Sequence, residues 1–409
     1  MNQNKSVKIR FKGFTEAWEQ RELNTAATFL NGRAFSQSEL LSKGEYPVLR
    51  VGNFYTNDKW YFSDLVLPEK FYANKGDLLY TWSATFGPHI WEGDKVIYHY
   101  HIWKLLLGKD TDKTFLLSLL QRDRETLLHG SNGSTMIHIT KQAMEAKKLF
   151  FPRSQEEQRQ IGSFFKTIDK AITLHQRKLN RFQKIRTTFL QKMFPKNGET
   201  KPAIRLTGFN ADWEQEKLQN FAVRITRKNI KKQNNRPLTI SAQHGLVDQT
   251  VYFNNRVAAQ DVSNYYLIKK GEFAYNRSTS KDAPVGAVRR LVDYEEGVLS
   301  TLYLVFSITD PQHVDPNYLS YFFETTGWHS WILERAAEGA RNHGLLNVSS
   351  QDFLSLPVML PSSLEEQQKI GEFFQKIDDC IILLERQADL LKQIKSSLLL
   401  SMFPPSNAE

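Results

Sequence analysis

The feature that most constrains this chain is a 45-residue segment that occurs twice. Residues 151–195 and 360–404 align without a gap and are identical at 19 of 45 positions. Each copy opens with one motif, PRSQEEQRQIGSFF at 152–165 and PSSLEEQQKIGEFF at 361–374. A shorter lead segment, IRFKGFTEAWEQREL at 9–23, returns as IRLTGFNADWEQEKL at 204–218. The chain is therefore a tandem duplication of lead segment, variable block and long segment.

Both long segments have the periodicity of amphipathic helices, which we expect over residues 155–192 and 364–401. Their apolar positions alternate in steps of four and three, as in a coiled coil. In the second copy these positions are Ile370, Phe374, Ile377, Ile381, Leu384, Ala388 and Leu391; in the first they are Ile161, Phe165, Ile168, Ile172, His175, Leu179 and Phe182. At 1.5 Å per residue, each helix would be roughly 55 Å long.

An amphipathic helix must bury its apolar stripe, so we expect the two helices to pair with each other, antiparallel, in a pseudo-two-fold molecule. The alternative is that each helix packs only on its own block. Ser154 with Glu157, and Ser363 with Glu366, fit capping boxes. We predict that one further set of motif residues forms helix caps, the seam between the helices and a partner-docking surface. This set is Glu156, Glu157, Gln158, Ile161, Phe165, Ile168, Ile172, Glu365, Glu366, Gln367, Ile370, Phe374, Ile377 and Ile381.

Composition indicates a multidomain globular protein. The chain has 409 residues, 41% of them hydrophobic, and no run of about 18 apolar residues. Cys380 is its only cysteine, which excludes an internal disulfide and suggests a small buried side chain. The N-terminal residues lack the apolar stretch of a signal peptide, so a cytoplasmic location is expected.

The variable blocks, 24–150 and 219–359, predict mixed α/β structure. Strands are expected within 46–54, 76–87 and 96–107 of the first block, followed by a helix over 113–130. The second block repeats this order at 271–279, 297–306 and 318–336. KGDLLY at 75–80 matches KGEFAY at 270–275, but the loops that follow differ. A repeated scaffold with differing loops is typical of a recognition module.

Several loop residues have the side chains that contact DNA. RITRKNIKKQNNR at 224–236 has six basic residues and no acidic one, which suits phosphate contact, although a solvated basic face is the alternative. Planar side chains elsewhere suit base edges in the major groove. The candidates are Arg33, Trp82, Ser83, Thr85, His99, His101, Ser131, Asn132, Ser134, Thr135, Arg227, Lys228, Lys231, Lys232, Gln243, His244, Asn276, Arg277, Lys281, Arg341, Asn342 and His343.

No catalytic motif stands out in the sequence. GxGxxG, P-loop and HExxH patterns are absent, as is the tetrapeptide of amino-methyltransferases. YHYH at 98–101 has no obvious carboxylate partner, so a metal site is not expected there. We interpret the chain as a non-catalytic protein of recognition and assembly.

The doubled Pro-x-x-x-Glu-Glu-Gln-x-x-Ile motif, each time after a variable block, resembles the specificity subunit of type I restriction-modification enzymes. The resemblance covers almost the whole chain. It implies an α+β fold in which two globular α/β target recognition domains are separated by two long antiparallel coiled-coil helices. The domains would be residues 1–150 and 196–359, and the conserved spacer helices would lie in 151–195 and 360–404.

The resemblance also implies the function. Such a subunit binds no cofactor directly and catalyses no reaction. It recognises a bipartite, asymmetric double-stranded DNA site, one half with each domain, while the helix pair fixes the gap. It binds two methyltransferase subunits, which carry S-adenosylmethionine, and through them two restriction subunits that use ATP and Mg²⁺. A DNA-binding regulator without enzyme partners and a coiled-coil adaptor without a DNA role remain alternatives.

The long segments differ strongly in charge. Residues 151–195 contain ten basic and three acidic residues, whereas 360–404 contain five basic and seven acidic ones. Most of the net charge of +10 therefore lies on the first helix. We hypothesise that its basic side chains face DNA phosphates or an acidic partner. These are Lys166, Lys170, Arg177, Lys178, Arg181 and Lys184.

Overall fold

The computed structural model describes residues 7–55, 57–83, 85–130, 139–196, 198–241, 245–255, 257–336 and 344–405. The chain divides into two compact units. Unit 1 comprises Met1–Arg177 and Leu384–Glu409, and unit 2 comprises Lys178–Leu383. No helix in the described residues is long and apolar enough to cross a membrane.

Unit 1 contains ten strands and three complete helices in its described part. They are β1 (Glu19–Glu22), α1 (Leu23–Ala26), β2 (Ala27–Asn31), β3 (Tyr46–Leu49), β4 (Tyr61–Ser63), β5 (Tyr72–Ala73), β6 (Leu78–Thr81), β7 (Gly87–Ile90), β8 (Val96–Tyr98), β9 (Ile102–Leu107), α2 (Lys113–Gly130), α3 (Lys141–Glu145) and β10 (Lys148–Phe151). The long helix α4 (Gln155–Lys192) follows, and its first part belongs to unit 1.

Unit 2 repeats this order with small changes. Its described elements are β11 (Glu214–Lys217), β12 (Ala222–Ile225), β13 (Leu238–Ser241), β14 (Gly245–Asp248), α5 (Gln249–Phe253), β15 (Tyr266–Lys269), β16 (Phe273–Asn276), β17 (Ala287–Arg290), β18 (Glu296–Leu299), β19 (Leu304–Ile308), α6 (Pro316–Phe322), α7 (His329–Arg335), α8 (Ser350–Leu354) and β20 (Pro357–Leu360). The second long helix, α9 (Leu364–Met402), starts in unit 2, and its last part belongs to unit 1.

The two units share one sheet plan. Strand order β2-β9-β6-β7 in unit 1 matches β12-β19-β16-β17 in unit 2. In each unit the lead segment forms a strand that pairs antiparallel with the strand before the long helix. Glu19 lies opposite Phe151, and Glu214 lies opposite Leu360. The predicted α+β fold with an internal duplication is confirmed at the level of strand pairing.

The predicted helix pairing occurs within each unit. In unit 1 the Lys395 ammonium of α9 contacts the Asp169 carboxylate of α4 at 2.5 Å. In unit 2 the Arg186 guanidinium of α4 binds the Asp378 carboxylate of α9. The two pairs occupy equivalent positions of the repeat with the two helices exchanged. Within unit 1 the Phe165 ring also lies 5.9 Å from the Phe403 ring, and within unit 2 the Phe189 ring lies 5.0 Å from the Phe373 ring. In each unit partner positions thus rise along one helix as they fall along the other, so the pairing is antiparallel, as predicted.

The repeated motif anchors the start of each long helix. The Glu157 carboxylate accepts hydrogen bonds from Arg10 Nε at 2.7 Å, Arg10 Nη2 at 2.8 Å and Trp18 Nε1 at 3.1 Å. In unit 2 the Glu366 carboxylate accepts from Arg205 Nε and Nη2 at the same two distances. Each lead segment is thus fastened to its helix by a bidentate, charge-assisted contact.

The glutamine of the motif makes a second internal contact. Gln158 Oε1 accepts from the Asp112 N–H at 2.9 Å, just before α2, and its amide donates to Pro152 O at 3.1 Å. Gln367 repeats this arrangement with the Asp315 N–H, just before α6, and Pro361 O. The amide therefore fixes the start of α2 in unit 1 and of α6 in unit 2.

These contacts correct the expectation of a docking surface at the motif. The side chains of Glu157, Gln158, Glu366 and Gln367 are at most 2% exposed and are bonded inside the chain. The Glu157 carboxylate is bound to Arg10 and Trp18 rather than completing a capping box, although Ser154 Oγ accepts from the Glu157 N–H at 3.4 Å. Glu156 and Glu365 are exposed and form ion pairs with helix neighbours.

Two further sequence expectations were wrong. The predicted strands at 96–107 and 297–306 are each two strands, β8 with β9 and β18 with β19, separated by a turn. Cys380 is exposed rather than buried. It precedes Ile381 by one residue, so at about 100° per residue its side chain lies beside the apolar stripe rather than within it. The seam residues Ile161, Phe165, Ile370 and Phe374 are buried, as predicted.

Gly162 permits the closest approach of α4 to α2. A Cβ on this glycine would lie 2.2 Å from Thr114 Oγ1 and 2.5 Å from Phe115 N. At the equivalent Gly371 the nearest atom, Asn317 Cβ, would be 2.9 Å away. Close packing thus requires a glycine at this position of the motif, and the space for a side chain is smaller in unit 1 than in unit 2.

We predict that Gly162→Ala destabilises the protein, although Gly→Ala inside a helix normally stabilises it by up to about 1 kcal/mol. The new methyl meets backbone atoms, and such overpacking costs about 1–3 kcal/mol. Gly371→Ala should be less damaging, and Ser163→Ala, at an exposed neighbouring position, should be nearly neutral. Thermal unfolding of the three variants provides the measurement, and a stabilised Gly162→Ala variant would contradict the packing argument.

The paired glutamates of the motif give a matched comparison. Glu157→Gln should lower the free energy of unfolding by about 3 kcal/mol, because it leaves the Arg10 guanidinium without its buried charge partner. Glu156→Gln should change it by less than about 0.5 kcal/mol, since that side chain is exposed. Chemical denaturation of both variants tests this difference. Equal losses in the free energy of unfolding would show that the buried Glu157–Arg10 pair stabilises the protein no more than the exposed Glu156 does.

Candidate nucleic-acid interface

Several predicted DNA-binding residues of unit 1 come together where strands β2, β6 and β8 end. Arg33 N donates to Tyr98 O at 3.1 Å, and Tyr100 N donates to Arg33 O at 3.0 Å. Trp82 N, directly after β6, donates to His101 O at 3.1 Å. These backbone bonds place the side chains of Arg33, Trp82, His99 and His101 in one group, although they are distant in sequence.

The rings of this group form a continuous aromatic cluster. The His101 ring lies 5.0 Å from the Trp82 ring and 5.0 Å from the His99 ring, measured between centroids. Tyr100 contacts His101 at 3.9 Å and remains 39% exposed. Trp82 Nε1 donates to Tyr100 O at 2.9 Å, which fixes the indole plane. Planar, pre-oriented rings of this kind suit contact with base edges or thymine methyl groups.

Two contributors to this cluster were missed by the sequence reasoning. A Cβ on Gly32 would lie 2.3 Å from His99 O, so only glycine lets the end of β2 approach the His99 backbone. Phe35 stacks on His99 at 6.4 Å, and the Arg33 guanidinium lies 4.8 Å from the Phe35 ring. The signal available in the sequence was a glycine directly after the short run ATFLN, in which no strand was predicted, followed by a basic residue.

Two histidines of unit 1, His89 and His99, favour the neutral state. Burial, with smaller contributions from His101 and Arg50, lowers the pKa of His99 to about 4. Burial and the nearby Arg124 lower the pKa of His89 to about 4 as well. A neutral imidazole has one hydrogen-bond donor and one acceptor, so at neutral pH His99 can act as a polar group rather than as a cation.

The structure says less about the other predicted DNA-binding residues of unit 1. Arg33 Nη2 contacts Glu39 Oε1 at 2.5 Å, so its charge is already paired. Ser83 is half-buried and Thr85 is exposed, both in the loop after β6. Four predicted residues lie outside the described residues: Ser131, Asn132, Ser134 and Thr135.

In unit 2 Asn276 is the last residue of β16, and Arg277 begins the loop that is equivalent to the loop after β6. Arg277 Nη2 donates to Leu302 O at 3.0 Å, and Nη1 donates to Val348 O at 3.2 Å. Trp82 makes a similar contact in unit 1, to the carbonyl of the loop before β9. The Arg277 guanidinium is therefore occupied within the domain, and a base contact by it would require breaking these hydrogen bonds.

In the basic segment of unit 2, residues 224–236, some of the cations are also bound within the domain. Arg227 binds the Glu272 carboxylate, with Nη2 at 2.6 Å from Oε1. Lys228 Nζ donates to Asn264 O at 2.9 Å and lies 3.9 Å from the centre of the Tyr266 ring. The sequence interpretation of six equivalent phosphate-binding cations is thus too simple, because some of them hold the loop in place.

Three of the predicted DNA-binding cations are exposed in the described part of unit 2. Lys231 and Lys281 are exposed, and Lys232 is exposed with a carboxylate of Asp261 at 3.5 Å. The other predicted residues of this unit lie outside the described residues: Gln243, His244, Arg341, Asn342 and His343. In the described part of the chain no three His, Cys, Asp or Glu side chains form a group that could hold a metal ion.

The family of the chain follows from its comparison with known proteins. A model of the type I restriction modification DNA specificity domain matches residues 15–184 and again 210–394. The chain belongs to this family of type I restriction-modification specificity proteins. Both matches contain one variable block and most of the following long helix, so the duplication derived from the sequence is also a duplication of the family's domain. A comparison with curated protein sequences found no match.

A solved structure of a type I S subunit has the same fold. The crystal structure of a type I restriction-modification S subunit from M. genitalium covers 98% of this chain and 100% of its own, with a TM-score of 0.64 at 14% identity. An HsdS subunit from Thermoanaerobacter tengcongensis is less similar, with a TM-score of 0.42, 14% identity and coverage of 95% and 97%. At this identity the similarity to the first structure supports the fold alone.

The lowered pKa of His99 predicts a pH effect on the stability of this specificity protein. Below its ordinary pKa of about 6.5, imidazole is protonated more readily in the unfolded chain than in the folded one. Stability should therefore fall from about pH 6.5 towards pH 4. The drop in melting temperature between pH 7 and pH 5 should be smaller for His99→Gln than for the parent chain. An equal drop would mean that His99 titrates normally.

Proposed function

We propose that this chain recognises a two-part, asymmetric DNA sequence for a type I restriction-modification enzyme and has no reaction of its own. One observation carries the proposal: the DNA specificity domain of the family occurs twice. In each unit the side chains that differ lie at equivalent strand ends, after β6 or β16 and before β9 or β19. Different side chains on the same scaffold support two different half-sites.

The side chains that the two units offer to DNA suit different kinds of contact with the bases and the phosphates. Unit 1 presents fixed aromatic rings and the neutral imidazole of His99, which supply apolar contacts and single hydrogen bonds to base edges. Unit 2 presents Asn276, whose Oδ1 accepts from the Ser278 N–H at 3.0 Å and whose Nδ2 can donate to a base edge, and the exposed Lys231 and Lys281, which suit phosphates. The half-sites would therefore differ in sequence and in the share of affinity that comes from phosphate contacts.

The partners follow from the family. We assign to this chain two methyltransferase subunits that bind S-adenosylmethionine, and through them two restriction subunits that use ATP and Mg²⁺. Leu383, Leu390 and Ile394 of α9 are 42–56% exposed, and they support a protein partner on that helix because exposed apolar side chains mark interaction surfaces. The chain itself would position the DNA while a partner extrudes and methylates adenine.

Mapping of methylated adenines tests this function. A host that contains the cognate methyltransferase subunit should show a bipartite motif only when this chain is present. Trp82→Ala should relax or abolish the half of the motif read by unit 1 and leave the other half intact, because the indole belongs to one unit only. Val66→Ala, at an exposed position of the same unit, serves as the control.

Three outcomes would contradict the proposal. A motif that appears without this chain would remove its role in specificity. Loss of both half-sites in Trp82→Ala, with the protein still folded, would contradict reading by separate units. Binding of specific DNA in the absence of any methyltransferase partner in the cell would favour a regulator instead.

A further inference from the structure

Five cations form a straight stripe on helix α4. Lys166, Lys170, Arg177, Arg181 and Lys184 follow each other in steps of four, seven, four and three residues. At about 100° per residue their side chains fall within roughly 60° of one another, and the stripe extends over about 27 Å. The apolar seam with α9 lies about 180° away around the helix, so the stripe is on the outer face.

The stripe has no internal charge partner in the described part of the protein. All five side chains are exposed, and no ion pair joins any of them to a carboxylate there. After the first turn the only acid of α4 is Asp169, which Lys395 already occupies at 2.5 Å. The cations therefore repel each other without compensation, a cost that a bound polyanion would remove.

The duplication supplies an internal comparison for this stripe. The equivalent positions on α9 are Gln375, Asp379, Arg386, Leu390 and Gln393, with one cation and one anion. Both helices use the same seam, start from the same motif and pair with each other. Packing requirements therefore do not explain the five cations, because the second copy meets the same requirements without them.

The composition of the face distinguishes between two kinds of partner. Helices that dock on proteins usually do so through apolar side chains at three- and four-residue spacing. No apolar side chain occupies the five positions of the stripe, whose face also has Ser163, Thr173 and Thr188; Leu174, 52% exposed, lies beside it. On α9 the equivalent Leu383 is joined by the exposed Leu390, which takes the position of Arg181. A line of five point charges with a single apolar neighbour fits a linear polyanion, and duplex DNA has one negative charge per about 1.7 Å of its axis.

We propose that this stripe of α4 binds the phosphate backbone of duplex DNA, independently of sequence. The contact would add affinity without specificity, and only α4 would provide it. This inference rests on the proposed function, because the DNA is taken to be the duplex that the two units read. It assigns to one of two otherwise equivalent helices a binding role that the other lacks.

The salt dependence of DNA binding tests the stripe directly. We compare the full chain, in complex with its methyltransferase subunit, with the variant Lys166→Gln, Lys170→Gln and Lys184→Gln on a duplex that contains the mapped motif. Each phosphate contact contributes about 0.9 to the slope of log K against log salt concentration. The slope of the variant should therefore be lower by about 2.7, with the methylated motif unchanged.

A matched control removes the same net charge from α9. Lys369, Lys376 and Lys392 are exposed, and each lies near a carboxylate of its own helix. Lys369→Gln, Lys376→Gln and Lys392→Gln together should leave the slope unchanged. A second variant, Lys166→Arg, Lys170→Arg and Lys184→Arg, keeps the charges and should retain the slope of the parent chain. Equal helix content of all variants, measured by circular dichroism, checks that they fold.

The possible outcomes distinguish a failure of the phosphate contact from a failure of the proposed function. An unchanged slope in the stripe variant, or an equal decrease in the α9 control, would overturn the phosphate contact. Loss of the methyltransferase subunit from the stripe variant, with the slope retained, would overturn it in favour of an acidic protein surface. If the parent complex binds no duplex at all, the proposed function fails together with this inference.

Discussion

The buried carboxylates of Glu157 and Glu366 hold the rest of the structure in place. Each accepts two hydrogen bonds from an arginine of the lead segment, Arg10 or Arg205, and is almost completely removed from solvent. An unpaired charge in such a position would be destabilising by several kcal/mol. The lead strand, the strand it pairs with and the first turn of the long helix must therefore form together, and this fixes each helix relative to the sheet of its own unit.

A comparison of the two copies distinguishes the residues that the fold requires from those that recognition can use. The anchoring arginine, glutamate, glutamine and glycine occur in both copies with nearly the same geometry. The loops at the strand ends and most positions on the outer faces of the two helices differ between copies. Side chains in the anchors are buried and close-packed, so substitutions there cost stability, whereas exposed positions can diverge at little cost. A specificity protein can thus acquire two different DNA half-sites on one scaffold.

Much of the fold could be predicted because its signals are local. The heptad pattern predicted helices whose ends lie within one residue of those of α4 and α9, and the repeated blocks predicted the same order of elements in both units. The single strand predicted at 96–107 was wrong because the strand-like run continues through a turn at His99–His101, where backbone bonds to Arg33 and Trp82, just after β2 and β6, bend the chain. That turn assembles the aromatic cluster of unit 1, so the least predictable piece of this unit is also its candidate site.

By itself, the sequence determined the duplication, the apolar phase of both long helices, the charge difference between them and the family. Only the tertiary structure decided which polar residues are structural. Glu156 and Glu157 are adjacent and chemically identical, yet one is exposed and the other binds Arg10, 147 positions away in the chain. Arg277 looked like a base-reading residue, but carbonyl oxygens of Leu302 and Val348 hold it. The partner of a charged group depends on contacts between distant segments, which local periodicity does not contain.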